Sequence, residues 1–189
     1  MHLKPPSQRV TESIHATIYL LRHGAVDLPE NEKRYIGWQD VALSDRGLQQ
    51  ACAWGDRFAG TDLEAIYCST LTRCFETARI IADRCGHRPL ALAELREINL
   101  GSWEGRRIET IKTRYPQAYR QRGDQIADYR PPEGESFRDL QRRVWPAFKA
   151  VTRGLRGQTL IVTHAGVIRV LLCRLLEMPL KHLFRIGQT

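Results

Sequence analysis

Apolar positions along this chain fall into two periods. Residues 17–21, 65–68, 90–95 and 159–163 are short runs rich in apolar and β-branched side chains, and each predicts a buried strand. Between them the period is helical. Leu48, Ala51, Cys52 and Phe58 form one stripe, with Ser44 placed as N-cap, Leu43 and Leu48 as a hydrophobic staple and Gly60 at the end. Ser69 is placed to cap a second helix carrying Leu71, Cys74, Phe75, Ala78, Ile81 and Cys85 on one face, closed by Gly86. Gly101 and Gly105 punctuate a loop. A polar, mostly helical excursion over residues 106–128 follows, with breaks expected at Pro116 and Gly123. Ser136 and Asp139 have the form of a capping box before a third stripe, Phe137, Leu140, Val144, Phe148, Val151 and Leu155, with a kink expected at Pro146. Arg138, Arg142, Arg143 and Arg153 lie off that stripe and are expected in solvent. A last helix opens near Gly166.

Short strands alternating with helices predict an α/β domain, a three-layer α/β/α sandwich with a mostly parallel central sheet. The 189 residues fit one domain. Residues 1–16, polar and proline-containing, are expected to form a flexible tail, and 17–189 a single catalytic domain. No apolar run approaches the roughly 18 residues of a membrane helix, and no apolar segment follows the N-terminus as in a signal peptide. A cytoplasmic protein is expected.

Composition adds a basic balance, 29 Lys and Arg against 21 Asp and Glu, a net charge of +8. Lysine stands only at Lys4, Lys33, Lys112, Lys149 and Lys181, so the excess is arginine, whose planar fork suits phosphate and carboxylate. The five cysteines form no Cys-x-x-Cys pair, and their odd number argues against a disulfide framework.

In an open α/β sheet, ligands bind at the carboxyl ends of the strands. The first strand delivers Arg22, His23 and Gly24 there, and the fourth Thr163, His164, Ala165 and Gly166. The second delivers Ser69 and then Arg73; the third delivers Glu94, Arg96 and Glu97. Arg73 falls in the first turn of a helix, where the macrodipole disfavours a cation unless an anion binds beside it. Two arginines, a histidine and free helix-terminal amides suit a phosphoryl group. A neutral imidazole can attack phosphorus, and a carboxyl group can protonate the leaving oxygen. Arginines flanking the histidines repel a cation, so neither metal nor other cofactor is expected.

Leu21-Arg-His-Gly24, Ser69-Thr-Leu-Thr-Arg73 with Thr77-Ala78, Leu95-Arg-Glu97 with Gly101-Ser-Trp-Glu-Gly105, and Thr163-His-Ala-Gly166 resemble the histidine phosphatase superfamily, in its phosphoglycerate-mutase-like branch. Gly37-Trp-Gln-Asp40 with Leu43-Ser44 and Gly47 matches the segment after the first motif. The resemblance runs from about Ile18 to the C-terminus. It implies that His23 is the nucleophile. Arg22, Arg73 and His164 would bind the phosphoryl group with the Ala165 or Gly166 amide. Glu97 would act as general acid and then base; the residues alone leave Glu94, Glu97 and Glu104 open. Arg34, Tyr35, Trp38 and Arg106 are candidates for the substrate pocket.

Within the family the chain is similar to α-ribazole phosphatase-type members through residues 95–105, Pro132-Glu-Gly-Glu-Ser136 and Leu183-Phe-Arg-Ile-Gly-Gln188. The short segment between Glu97 and His164 implies a phosphatase rather than a mutase. A phosphoglycerate mutase, and a non-catalytic phosphate- or nucleic-acid-binding module, are the alternatives. The partner implied is a small phosphorylated metabolite, with no nucleic acid and no membrane; monomer and homodimer are both open. Ala25, Val26 and Pro29 depart from the family pattern, leaving Asn31 as the nearest amide for phosphate. Relatives continue into a closing strand, so the last strand is expected to be missing after Thr189.

Overall fold

The computed structural model describes residues 16–29 and 32–188. Most of the expected tail, Asn31 and Thr189 lie outside the described residues. Four strands, β1 (Thr17–Arg22), β2 (Leu63–Ser69), β3 (Leu90–Leu92) and β4 (Gln158–Thr163), form one sheet in the order β1-β4-β2-β3, every pair parallel. β1 and β4 run in register from Thr17 opposite Gln158 to Arg22 opposite Thr163. Their carboxyl ends are therefore level, and the residues that follow, His23 and His164, leave the sheet side by side.

Alternation along the strands divides the core into two layers. On one face Leu21, Ile66, Leu160 and Val162 pack against Phe58 of α1 (Asp45–Phe58) and Ala78, Ile81 and Ala82 of α2 (Thr72–Cys85). On the other, Ile161 meets Ile111 of α3 (Ile108–Arg114), Leu140, Val144 and Phe148 of α5 (Phe137–Thr152), and Val167, Val170 and Leu171 of α6 (Ala165–Leu175). The result is the α/β/α sandwich expected. No described helix is long and apolar enough to cross a membrane.

Local signals decide the element ends. The Ser44 hydroxyl accepts from the Gly47 amide at the start of α1. Ser136 and Asp139 form the reciprocal capping box of α5. Gly86 closes α2 in the left-handed region, at φ 69°.

Several expectations need correction. β3 stops at Leu92 and its last residues wind into a 3-10 turn, Ala93–Leu95. The break at Pro116 is present, since α3 ends at Arg114 and Pro116 opens α4 (Pro116–Asp124), but Gly123 makes no break and lies inside α4. α5 continues unbroken through Pro146. Ser69 ends β2 rather than capping α2, which begins at Thr72. That start turns the buried face of α2 toward Arg73, Cys74, Thr77, Ala78 and Ile81, and leaves Phe75 exposed.

Candidate active site

His23 follows β1 with its ring pinned by the backbone. Its Nδ1 lies 2.7 Å from the Gly24 carbonyl oxygen. A carbonyl only accepts, so Nδ1 carries the proton and the Nε2 lone pair is free. Burial, with the charges of Arg73 and Arg22, lowers the imidazole pKa to about 3, against the opposing pull of the Gly24 carbonyl. The ring is uncharged across the physiological range.

His164 follows β4 and is fully buried. The two imidazole centroids are 5.2 Å apart. Its Nε2 is 2.8 Å from the Ser69 hydroxyl at the end of β2, and the Cys74 thiol touches the ring. Burial first, then Arg73 and His23, hold its pKa well below the usual imidazole value.

The helical pattern points Arg73 away from the apolar stripe, yet only 1% of it is exposed. Nη1 donates to the Gln39 carbonyl at 2.9 Å and Nη2 to the Gly37 carbonyl at 2.6 Å. Its Nε is buried without a protein acceptor. A buried donor left unpaired costs about 1–3 kcal/mol, and more when it is charged, a cost that an anionic ligand would remove. Thr77, one turn on, donates to the Arg73 carbonyl and accepts from the Gly24 amide, tying α2 to the His23 loop.

Glu97 is buried under the same site. Oε1 accepts from the Ile98 amide at 2.9 Å and Oε2 from the Gly166 amide at 3.0 Å. Burial raises its pKa; those two amides, Arg73 and Arg22 oppose the rise. The Gly166 N–H, expected to face phosphate, is thus given to this carboxyl. The Glu97 carbonyl in turn accepts from the Trp38 indole at 2.7 Å and from Arg143 at 3.0 Å. Arg143, expected in solvent, also donates to the Glu94 and Arg96 carbonyls and grips Glu135 with two bonds. It holds the whole turn that carries Glu97. A Cβ at Gly166 would come within 2.2 Å of Glu97 Oε1. We expect Gly166→Ala to displace the carboxyl and lower kcat by about 10- to 100-fold in a steady-state assay, without loss of the fold.

A family model described as "Histidine phosphatase superfamily (branch 1)" matches residues 18–189. The chain belongs to the histidine phosphatase superfamily. It is similar to a protein named "Probable phosphoglycerate mutase GpmB" from Yersinia pestis, 34% identical over 86% of this chain and 75% of that one. Among solved structures it resembles YhfR of Bacillus stearothermophilus, with TM-score 0.83 and 35% identity over 93% of this chain and 87% of that one. It also resembles the α-ribazole phosphatase of Shigella flexneri, with TM-score 0.81 and 25% identity over 89% and 84%. It is therefore an enzyme of the histidine phosphatase class.

In this histidine phosphatase, His23 and Arg22 line a cavity of about 680 Å³, with Arg46, Gln50 and Trp54 of α1 on its wall. Arg34 and Arg106 line a different depression, of about 510 Å³. Arg34 donates to the Gly105 carbonyl and pairs with Glu32. Tyr35 packs against Trp103, and Trp38 is committed to the Glu97 carbonyl. In the departing segment, the Ala25 amide donates to Gln50 Oε1 and Val26 bridges to Leu43. Those contacts fix this loop within the protein.

Sequence reasoning did not single out Ser69 as the partner of His164, Thr77 as a tie, or Glu104 as a backbone anchor. Each carried some signal, Ser69 as a hydroxyl at a strand end and Thr77 and Glu104 within the family-like motifs, but none of these signals gave the role the structure shows.

Proposed function

We propose that this protein is a metal-independent phosphomonoester hydrolase that works through a phosphohistidine at His23. The observation that carries this reading is the His23 ring, held by Gly24 with Nε2 unprotonated beside His164 and the unpartnered Arg73 Nε. Nε2 attacks phosphorus, the P–O bond to the leaving group breaks, and Glu97 gives its proton to the departing oxygen. Water then attacks the phosphohistidine; Glu97 takes a proton from it, the P–N bond breaks, and phosphate leaves. Arg22, Arg73 and His164 bind the phosphoryl oxygens throughout. Residues 17–189 act as one catalytic domain.

The substrate class is a small phosphorylated metabolite. Solved relatives named α-ribazole phosphatase and glucosyl-3-phosphoglycerate phosphatase support hydrolysis. The mycobacterial enzyme was solved with VO3 and with inorganic phosphate. The similarity to proteins named probable phosphoglycerate mutase favours isomerisation as the second reading.

Incubation with a panel including α-ribazole 5'-phosphate and 3-phosphoglycerate separates the two. Hydrolysis predicts release of inorganic phosphate, inhibition by orthovanadate and indifference to chelators. Conversion of 3-phosphoglycerate to its isomer without phosphate release would establish the mutase. Loss of activity on chelation would overturn the metal-free mechanism.

A further inference from the structure

Arg73 owes its position to the loop at residues 37–40, and that loop is organised by a carboxylate the proposed reaction does not use. The Gly37, Trp38 and Gln39 amides all donate to Glu104, at 3.0, 2.7 and 3.1 Å. The Leu100 amide adds a fourth bond, at 3.0 Å. Three consecutive backbone donors converge on one carboxylate, so the loop has few other ways to lie.

The Gly37–Trp38 peptide unit connects the two charges directly. Its N–H donates to Glu104, and its C=O, which points the opposite way in a trans peptide, accepts from Arg73 Nη2. The peptide dipole is aligned between carboxylate and guanidinium, and each hydrogen bond polarises the other. Gly37 permits the close seat: a Cβ there would lie 2.1 Å from the Ile98 carbonyl oxygen and 2.5 Å from Glu104 Oε1. Asp40 fastens the far end of the loop, accepting from the Thr72 amide and hydroxyl at the start of α2.

We propose that Glu104 is a positioning residue: acting through the Gly37–Trp38 peptide, it sets the Arg73 guanidinium so that Nε faces the phosphoryl group. This rests on the phosphatase reading above. Glu104 is not assigned to any reacting atom; its effect on phosphate binding passes chiefly through Arg73, with Trp38, which also donates to the Glu97 carbonyl, as the other residue it holds near the site.

A double-mutant cycle on inorganic phosphate binding, measured by calorimetry, tests it. Phosphate binding to the unmodified protein that weakens in Arg73→Ala establishes the anion site; no binding at all would overturn the site reading and this proposal with it. Given that binding, Glu104→Gln should weaken it about tenfold, the scale of one charge-assisted hydrogen bond. In the Arg73→Ala background the same change should alter affinity less than about twofold. An equal loss in both backgrounds, or no loss in the first, would overturn the positioning role while leaving the site intact. Should Glu104→Gln fail to fold, Glu104→Asp serves in both backgrounds with the same criteria. It keeps the charge and moves the carboxyl.

Discussion

His23→Ala should stop turnover, with kcat falling by about 10⁴-fold or more, the scale on which a covalent nucleophile's removal is felt. The same variant should still bind orthovanadate, because Arg73, Arg22 and His164 are all retained. It should accumulate no phosphoenzyme when a labelled substrate is quenched in alkali, where a P–N bond survives. The unmodified protein should show one acid-labile phosphoryl group under those conditions. A fully active His23→Ala protein would remove His23 from the mechanism.

The protonation state of His23 is open to a separate measurement. Burial, Arg73 and Arg22 disfavour the imidazolium and bring its pKa down to about 3. A lowered histidine pKa leaves the neutral ring in place at every pH above that value. An NMR titration should therefore show no protonation of the His23 ring as pH falls through 6.5, the ordinary imidazole value. A ring that titrates near 6.5 would mean a cationic, non-nucleophilic imidazole in mildly acidic solution.

The parts of this site visible in the sequence are those carried by local patterns. A β-branched run ending in Arg22-His23, and another ending in Thr163-His164, suffice to place both imidazoles at the carboxyl edge of a parallel sheet, where the register of β1 and β4 puts them. The Ser136–Asp139 box is equally local, since both partners lie within one helical turn. Glu104 and Arg143 have no such signature. The three loop amides that Glu104 binds are 65 to 67 positions away, and the carbonyls that Arg143 binds are 46 to 49 away. Backbone groups carry no residue identity, so a side chain that serves them looks like any surface charge until the chain is folded. Arg73, expected beside an anion from its place in a first helical turn, carries no local sign of its burial: the Gly37 and Gln39 carbonyls of a distant loop take it into the interior.

Glu97→Gln should separate the two chemical steps, and the size of its effect should depend on the leaving group. An alkoxide needs a proton as it departs, whereas p-nitrophenolate leaves without one. Turnover of an alkyl phosphate should therefore fall by about 10²- to 10⁴-fold, the usual contribution of a general acid or base. With p-nitrophenyl phosphate the first step should survive, and the phosphohistidine should then persist because no carboxylate takes the proton from water. The expected trace is a burst of one nitrophenol per site, followed by a slow steady rate. The burst also counts correctly folded sites, which separates chemistry from stability. Stability will fall somewhat: the Ile98 and Gly166 amides both need acceptors, and a carboxamide offers one oxygen. An orphaned amide there costs about 1–3 kcal/mol, which thermal denaturation reads independently. Because burial raises the Glu97 pKa, the acid form is lost only as pH rises through that elevated value. The alkaline decline in alkyl phosphate turnover should be present in the unmodified protein and absent in Glu97→Gln. Equal losses on both substrates, with no burst, would assign proton transfer to another group.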